Sequence, residues 1–117
     1  MESHYLVAFN RTRGRFIASK VLKADDYQSR SRGLLGRAWM SPEEGLWIVP
    51  CPMIHTLCMQ FVIDVIFLDR KMSVVRVIED MKPWRLSPWV FRAYSVLELA
   101  GGSLKGGASA NDLIEIQ

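Results

Sequence analysis

Ile54-His55-Thr56-Leu57-Cys58-Met59-Gln60-Phe61-Val62-Ile63-Asp64-Val65-Ile66-Phe67-Leu68 decides the fold. Its second half, residues 62–68, is an apolar run of strand length interrupted only by Asp64. Such a run reads as a strand buried on both faces. Behind it, Asp69-Arg70-Lys71-Met72 reads as a turn, and residues 73–78, with Val74, Val75 and Val77, as the returning strand of a hairpin. In front of it lies the loop Pro50-Cys51-Pro52, where proline, lacking an N–H for a ladder, stops an earlier strand over 46–49.

Toward the amino end, residues 5–9 and 16–22 are apolar and β-branched, and Asn10-Arg11-Thr12-Arg13-Gly14-Arg15 between them supplies turn residues, which predicts a hairpin. Asp25-Asp26 offers a helix N-cap, and Tyr27, Leu34 and Leu35 share one helical face. One short helix is therefore predicted over 25–36, fraying at Gly33 or ending at Gly36. Ser41-Pro42-Glu43-Glu44-Gly45 is a turn. Residues 80–92, with tryptophan, proline and basic clusters, read as a long ordered loop. Another strand is predicted over 94–99, a break at Gly101-Gly102, one helical turn over 103–105 and a last strand over 113–116. About seven short strands and one helix predict a mainly β domain with an α+β leaning: a compact β sandwich or partly open barrel, jelly-roll-like.

Composition bounds the function classes. The 117 residues suit a single domain over 1–117, without repeats, low-complexity tracts or linkers. Half of them are hydrophobic and 23% charged, an ordinary globular balance. No apolar run approaches the ~20 residues that span a bilayer, so no membrane partner is expected. Met1-Glu2-Ser3-His4-Tyr5 lacks a basic region followed by a long apolar run, which predicts no secretory leader and a cytoplasmic setting. The net charge of +3 is mild, and solubility explains it as well as nucleic acid does. No His-Glu-x-x-His, Gly-x-Ser-x-Gly or strand-linked Gly-x-Gly-x-x-Gly occurs. Gly101-Gly102-Ser103-Leu104-Lys105-Gly106 has phosphate-loop composition with its lysine misplaced. No cofactor is expected.

The central segment also resembles the core signature of the family known as domain of unknown function 192: an Ile-His-Thr-like start, a Met, an Ile-Asp step and an apolar strand closing on Asp. Further matches follow in order, in Arg32-Gly33-Leu34-Leu35-Gly36-Arg37, Glu44-Gly45-Leu46, Val74-Val75, Pro83-Trp84, Ala93, and Val96-Leu97-Glu98-Leu99 with Gly102. The resemblance covers about 16–116. It implies a compact β sandwich or barrel with a short helix, and no activity. Three departures stand out: Val62 where the family has Pro, Met72 where a turn Gly is usual, and Ala110-Asn111-Asp112 in place of Pro-Gly-Asp. Asn111 tolerates left-handed geometry, whereas Met72 predicts a turn of different type or length.

Several residues invite both a structural and a functional reading. Asp64, in an apolar strand, must be paired or hydrogen-bonded; it is either a structural carboxylate, with Arg32 as one possible partner, or a general base or metal ligand. His55 and Thr56 precede the strand by a few residues and could meet Asp64 in a ligand pocket or a satisfied internal network. Met59 reads as core, or as pocket lining. Cys51, His55 and Cys58 have ligand types that suit zinc, at a spacing that matches no established site, so no metal is assigned. Trp84 and Trp89, beside Lys82, Arg85 and Arg92, could stack a planar ligand, dock a partner or cap an open barrel end. Glu98 is expected to point outward by strand alternation, or to pair with a basic neighbour if it points inward. The leading expectation is a module that binds a small molecule or a protein, its pocket near His55, Thr56 and Asp64 under the 84–89 loop. The alternative is a hydrolase-like enzyme with Asp64 as base and His55 as acid or ligand. A third, nucleic-acid or anion binding through Arg11, Arg13 and Arg15, competes with a plainly solvated hairpin tip.

Overall fold

The computed structural model describes residues 4–117, so Met1–Ser3, on which the leader expectation partly rests, lie outside the described residues. The chain forms β1 (Leu6–Asn10), β2 (Arg15–Ala24), α1 (Tyr27–Arg32), β3 (Glu44–Ile48), β4 (Ile63–Leu68), β5 (Val74–Met81), β6 (Ser95–Ala100) and β7 (Ile114–Ile116). The seven strands make one sheet in the order β5-β4-β6-β3-β2-β1-β7. Every pairing is antiparallel except β2 with β3, whose connection carries α1. The sheet curls until its ends touch: Val74 N–H donates to the Asp112 carbonyl, Asn111 N–H to Val74, and Ile114 N–H to Met72. This is a half-barrel, the mainly β architecture expected.

Both faces of the sheet are covered at β4 and β6, which explains why β4 carries apolar side chains on both faces. Ile66 and Leu68 of β4 join Leu97 and Leu99 of β6 in the core inside the curl, with Val21, Leu104 and Ile114. Ile63, Val65 and Phe67 join Val96 and Ala100 in a second, outer core, with Leu34, Ile54, Met59 and Val90 from the connections. Strand alternation sends successive residues to opposite faces, so β4 and β6 are buried along their whole length. Each fully buried Leu, Ile or Phe contributes roughly 1.5–3 kcal/mol.

Details differ from expectation for local reasons. The helix has only six residues. Asp26 caps it as expected, its Oδ1 accepting the Ser29 N–H at 2.7 Å, but Gly33 ends it with φ of 48° and frees Leu34 to enter the outer core. Strand β5 extends three residues past 78, because Ile63 still has Met81 opposite. Residues 103–105 form bends and turns rather than a helical turn. Met72 adopts φ of 66°, the left-handed geometry that glycine would supply, while its side chain packs on the inner core. Asn111 does likewise at 76°. Val62 in place of Pro is compatible with the turn because the bond that matters uses its carbonyl, which accepts from Gly101 N–H at 3.0 Å. A Cβ on Gly101 would lie 2.7 Å from that same oxygen, so glycine is required there.

Candidate functional site

Alternation along β6 places Glu98 on the same face as Val96 and Ala100, opposite Val65 of β4 and Leu46 of β3. That face lies under α1 and the segment after β3, so "outward" from the sheet still means buried: Glu98 is 4% exposed. It borders a cleft of about 260 Å³ between α1 and residues 48–59, with Arg30, Leu34, Cys51, His55 and Met59 among its other walls. Its carboxyl makes no hydrogen bond or ion pair among the described residues. Burial pushes it up to about 8, so at neutral pH it is largely a neutral acid that can donate one hydrogen bond and accept others.

The surroundings limit the chemistry. Cys51 donates its Sγ–H to the Met53 carbonyl at 3.0 Å. Burial, reinforced by the Glu98 charge, raises its thiol to about 11, so it is not a thiolate nucleophile at neutral pH. Half-buried Arg30 is turned toward the chain, Nε on the Asp26 carbonyl and Nη1 on the Pro50 carbonyl. Exposed Arg32 makes no side-chain bond among the described residues. The cleft thus combines an acid in its wall with guanidinium groups and an exposed imidazole.

The polar trio anticipated around Asp64 separates into independent arrangements. Asp64, fully buried, accepts at Oδ1 from Asp80 N–H (2.9 Å) and Gly102 N–H (3.1 Å), and at Oδ2 from Leu104 N–H (3.0 Å). Both oxygens are engaged, and Arg32 is not a partner. Thr56 donates its hydroxyl to the Lys82 carbonyl at 2.6 Å and accepts the Arg85 N–H at 2.9 Å, stapling the 82–86 loop. His55 is exposed, its Nδ1 accepting the Leu57 N–H at 3.2 Å. Of the anticipated ligand residues, His55 and Met59 border the cleft and Thr56 and Asp64 do not.

Trp84 and Trp89 do not cover the cleft; they stand in solvent, 61% and 67% exposed. Cys58 is exposed, and among the described residues no three His, Cys, Asp or Glu side chains converge on a common point. The three arginines of the first hairpin are tied to the carboxyl-terminal segment. Arg11 pairs with Glu115 at 2.7 Å, Arg13 with Asp112 at 2.8 Å, and Arg15 donates to the Leu104 carbonyl at 3.3 Å. Sequence reasoning weighed Glu98 without assigning it to the site and did not consider Arg30. The signal that could have found Glu98 is an acid flanked by apolar residues in the one other strand buried on both faces.

A curled sheet with one buried, unpaired carboxyl among the described residues, beneath a cleft, defines a small β fold with an acid outside its structural networks. The chain belongs to the family of domain of unknown function 192 (DUF192, described as Uncharacterized ACR), whose model matches residues 8–116. It is similar in structure to a protein of unknown function from Novosphingobium aromaticivorans, with a TM-score of 0.79 and 20% identity over 94% of this chain and 82% of that one. It is also similar to a proposed transcription regulator from Sinorhizobium meliloti, with a TM-score of 0.78 and 24% identity over 99% and 98% of the two chains. At these identities the likeness concerns the fold alone. No curated protein matches the sequence significantly. No helix among the described residues is long and apolar enough to cross a membrane.

Proposed function

We propose that this domain is a small-ligand-binding module whose cleft between α1 and residues 48–59 takes a compound presenting an ammonium or guanidinium group to Glu98. One observation carries this reading: a carboxyl buried to 4% exposure that has no partner among the described residues and borders a cleft. An unpaired acid in such a position weakens the fold, and perturbed titratable groups in clefts mark functional sites. A cation entering the cleft supplies the missing partner and favours the ionised form. Arg30 and Arg32 on the cleft wall suit an anionic group elsewhere on the same compound. The volume fits a molecule of a few functional groups or a single side chain of a larger partner. Two free cysteines suit a cytoplasmic setting.

The test is a thermal-shift screen of amino acids, small amines and guanidinium compounds against wild type and Glu98→Gln. A compound that raises the wild-type Tm, and raises that of the variant much less, supports the site. Its affinity should increase between about pH 6 and 8, because a bound cation displaces the carboxyl proton. Equal stabilisation of both proteins, or an affinity indifferent to pH, overturns the reading.

A further inference from the structure

The loop joining β5 to β6 displays apolar side chains that the fold does not use. Trp84, Leu86, Trp89 and Phe91 are 61%, 64%, 67% and 81% exposed. They are not on a loose strand of chain. Thr56 N–H donates to the Arg85 carbonyl, Trp84 N–H to Thr56, Ser87 N–H to Ile54 and Val90 N–H to Pro52. The Ser87 hydroxyl accepts the Ile54 N–H, and the Thr56 side chain bonds at both Lys82 and Arg85. Ser87 and Val90, 5% and 6% exposed, are the side chains that face inward. Trp84 and Arg92 are held with φ of 64° and 73°, a geometry disfavoured for any residue with a Cβ. The anchoring thus holds the apolar groups out in water, where they gain nothing from burial.

Charge completes the pattern. Lys82, Arg85 and Arg92 are exposed among these four residues, and no Asp or Glu occurs from 81 to 97. The flanking acids are Asp80, at the end of β5, and Glu98, which faces the outer core.

We propose that the 82–92 loop docks the protein peripherally on an anionic lipid surface. The two indoles take the headgroup level, where such rings are most at home. Leu86 and Phe91 reach the acyl boundary, and the three cations meet lipid phosphates. A single-stranded nucleic acid would use the indoles and cations but leave Leu86 in water. The expectation of no membrane partner follows only from the absence of an apolar run of spanning length, and peripheral docking needs no such run.

Co-sedimentation with vesicles tests this. Wild type should pellet with phosphatidylcholine vesicles containing about one-third phosphatidylglycerol, remain free with pure phosphatidylcholine, and be released by high salt. Trp84→Ser/Trp89→Ser should bind the anionic vesicles at least about tenfold more weakly with an unchanged Tm. Should that variant lose stability, Phe91→Ser, at the most exposed position, replaces it. Failure of wild type to bind anionic vesicles, equal binding by wild type and a folded variant, or binding confined to an oligo(dT) strand would each overturn the proposal. None of these outcomes involves the Glu98 cleft.

Discussion

Asp64 and Glu98 sit one register step apart across β4 and β6, and their surroundings differ: main-chain donors converge on the first, and among the described residues none reaches the second. Asp64 closes a turn of main chain: three N–H groups from Asp80, Gly102 and Leu104 converge on it. Asp64→Asn keeps one acceptor and directs an NH₂ at a donor, so it should destabilise the protein by about 3 kcal/mol, read as a lower urea midpoint with an unchanged slope. A variant within about 0.5 kcal/mol of wild type would show that these bonds contribute little. The sequence made a buried, bonded Asp64 legible, because a lone acid in an apolar strand has few other fates. It could not name the donors, which come from 16 to 40 residues away. Glu98 was misread for a related reason. Alternation fixes only which face a side chain takes, and the cover on that face comes from residues 27–35 and 48–59, far away in sequence.

At the scale of elements, the segment Ile54–Thr56 does what no strand does, joining the loop before β4 to the loop after β5. Its bonds and the isolated bridge His55–Leu86 hold 82–87 in place. Thr56→Val preserves shape but removes the hydroxyl that bonds the Lys82 carbonyl and the Arg85 N–H. It should destabilise the loop by about 2 kcal/mol, seen as amide exchange at Trp84 and Arg85 faster by roughly tenfold or more, with β4 and β6 amides unaffected. Uniform acceleration across the sheet would instead make Thr56 part of the global core. Thr56 and Asp64 lie only eight positions apart in sequence, which suggests one pocket. Their bonds run to different loops, Thr56 to 82–85 and Asp64 mainly to 102–104, and proximity along a chain cannot reveal that divergence.

For the molecule as a whole, two kinds of carboxyl shape stability with pH. At Asp112, burial alone would raise the carboxyl, but bonds from Asn10, Ser109 N–H and Arg13 outweigh it and hold it below its ordinary 3.8. Its stabilisation is present above 3.8 and is lost as pH falls below that value. Glu98 acts on the other side. Below 4.5 it is protonated folded or unfolded; between 4.5 and about 8 only the unfolded chain ionises. Stability therefore falls as pH rises through that window, by at most about 1.4 kcal/mol per unit, and flattens above it. Wild-type Tm should peak near about pH 5, and Glu98→Gln should remove most of the alkaline decline. A Tm profile that is flat from about pH 5 to 8 in wild type would mean that Glu98 is already ionised and paired.

The order of strands was legible only in part. The hairpins β1–β2 and β4–β5 are local and could be read from turns, whereas the parallel β2–β3 pairing and the place of β6 between β4 and β3 depend on contacts across the chain. The touching ends of the sheet carry a consequence for self-association. Bonds at 72–74 and 111–114 occupy the start of β5 and the entry to β7, so these parts of the two edges offer no open backbone to an incoming strand of another molecule. The far part of β5 pairs only β4, and Arg76, Glu79 and Asp80 stand on it. Charges on an edge discourage strand addition, so fibril growth from this fold would first require the sheet to uncurl.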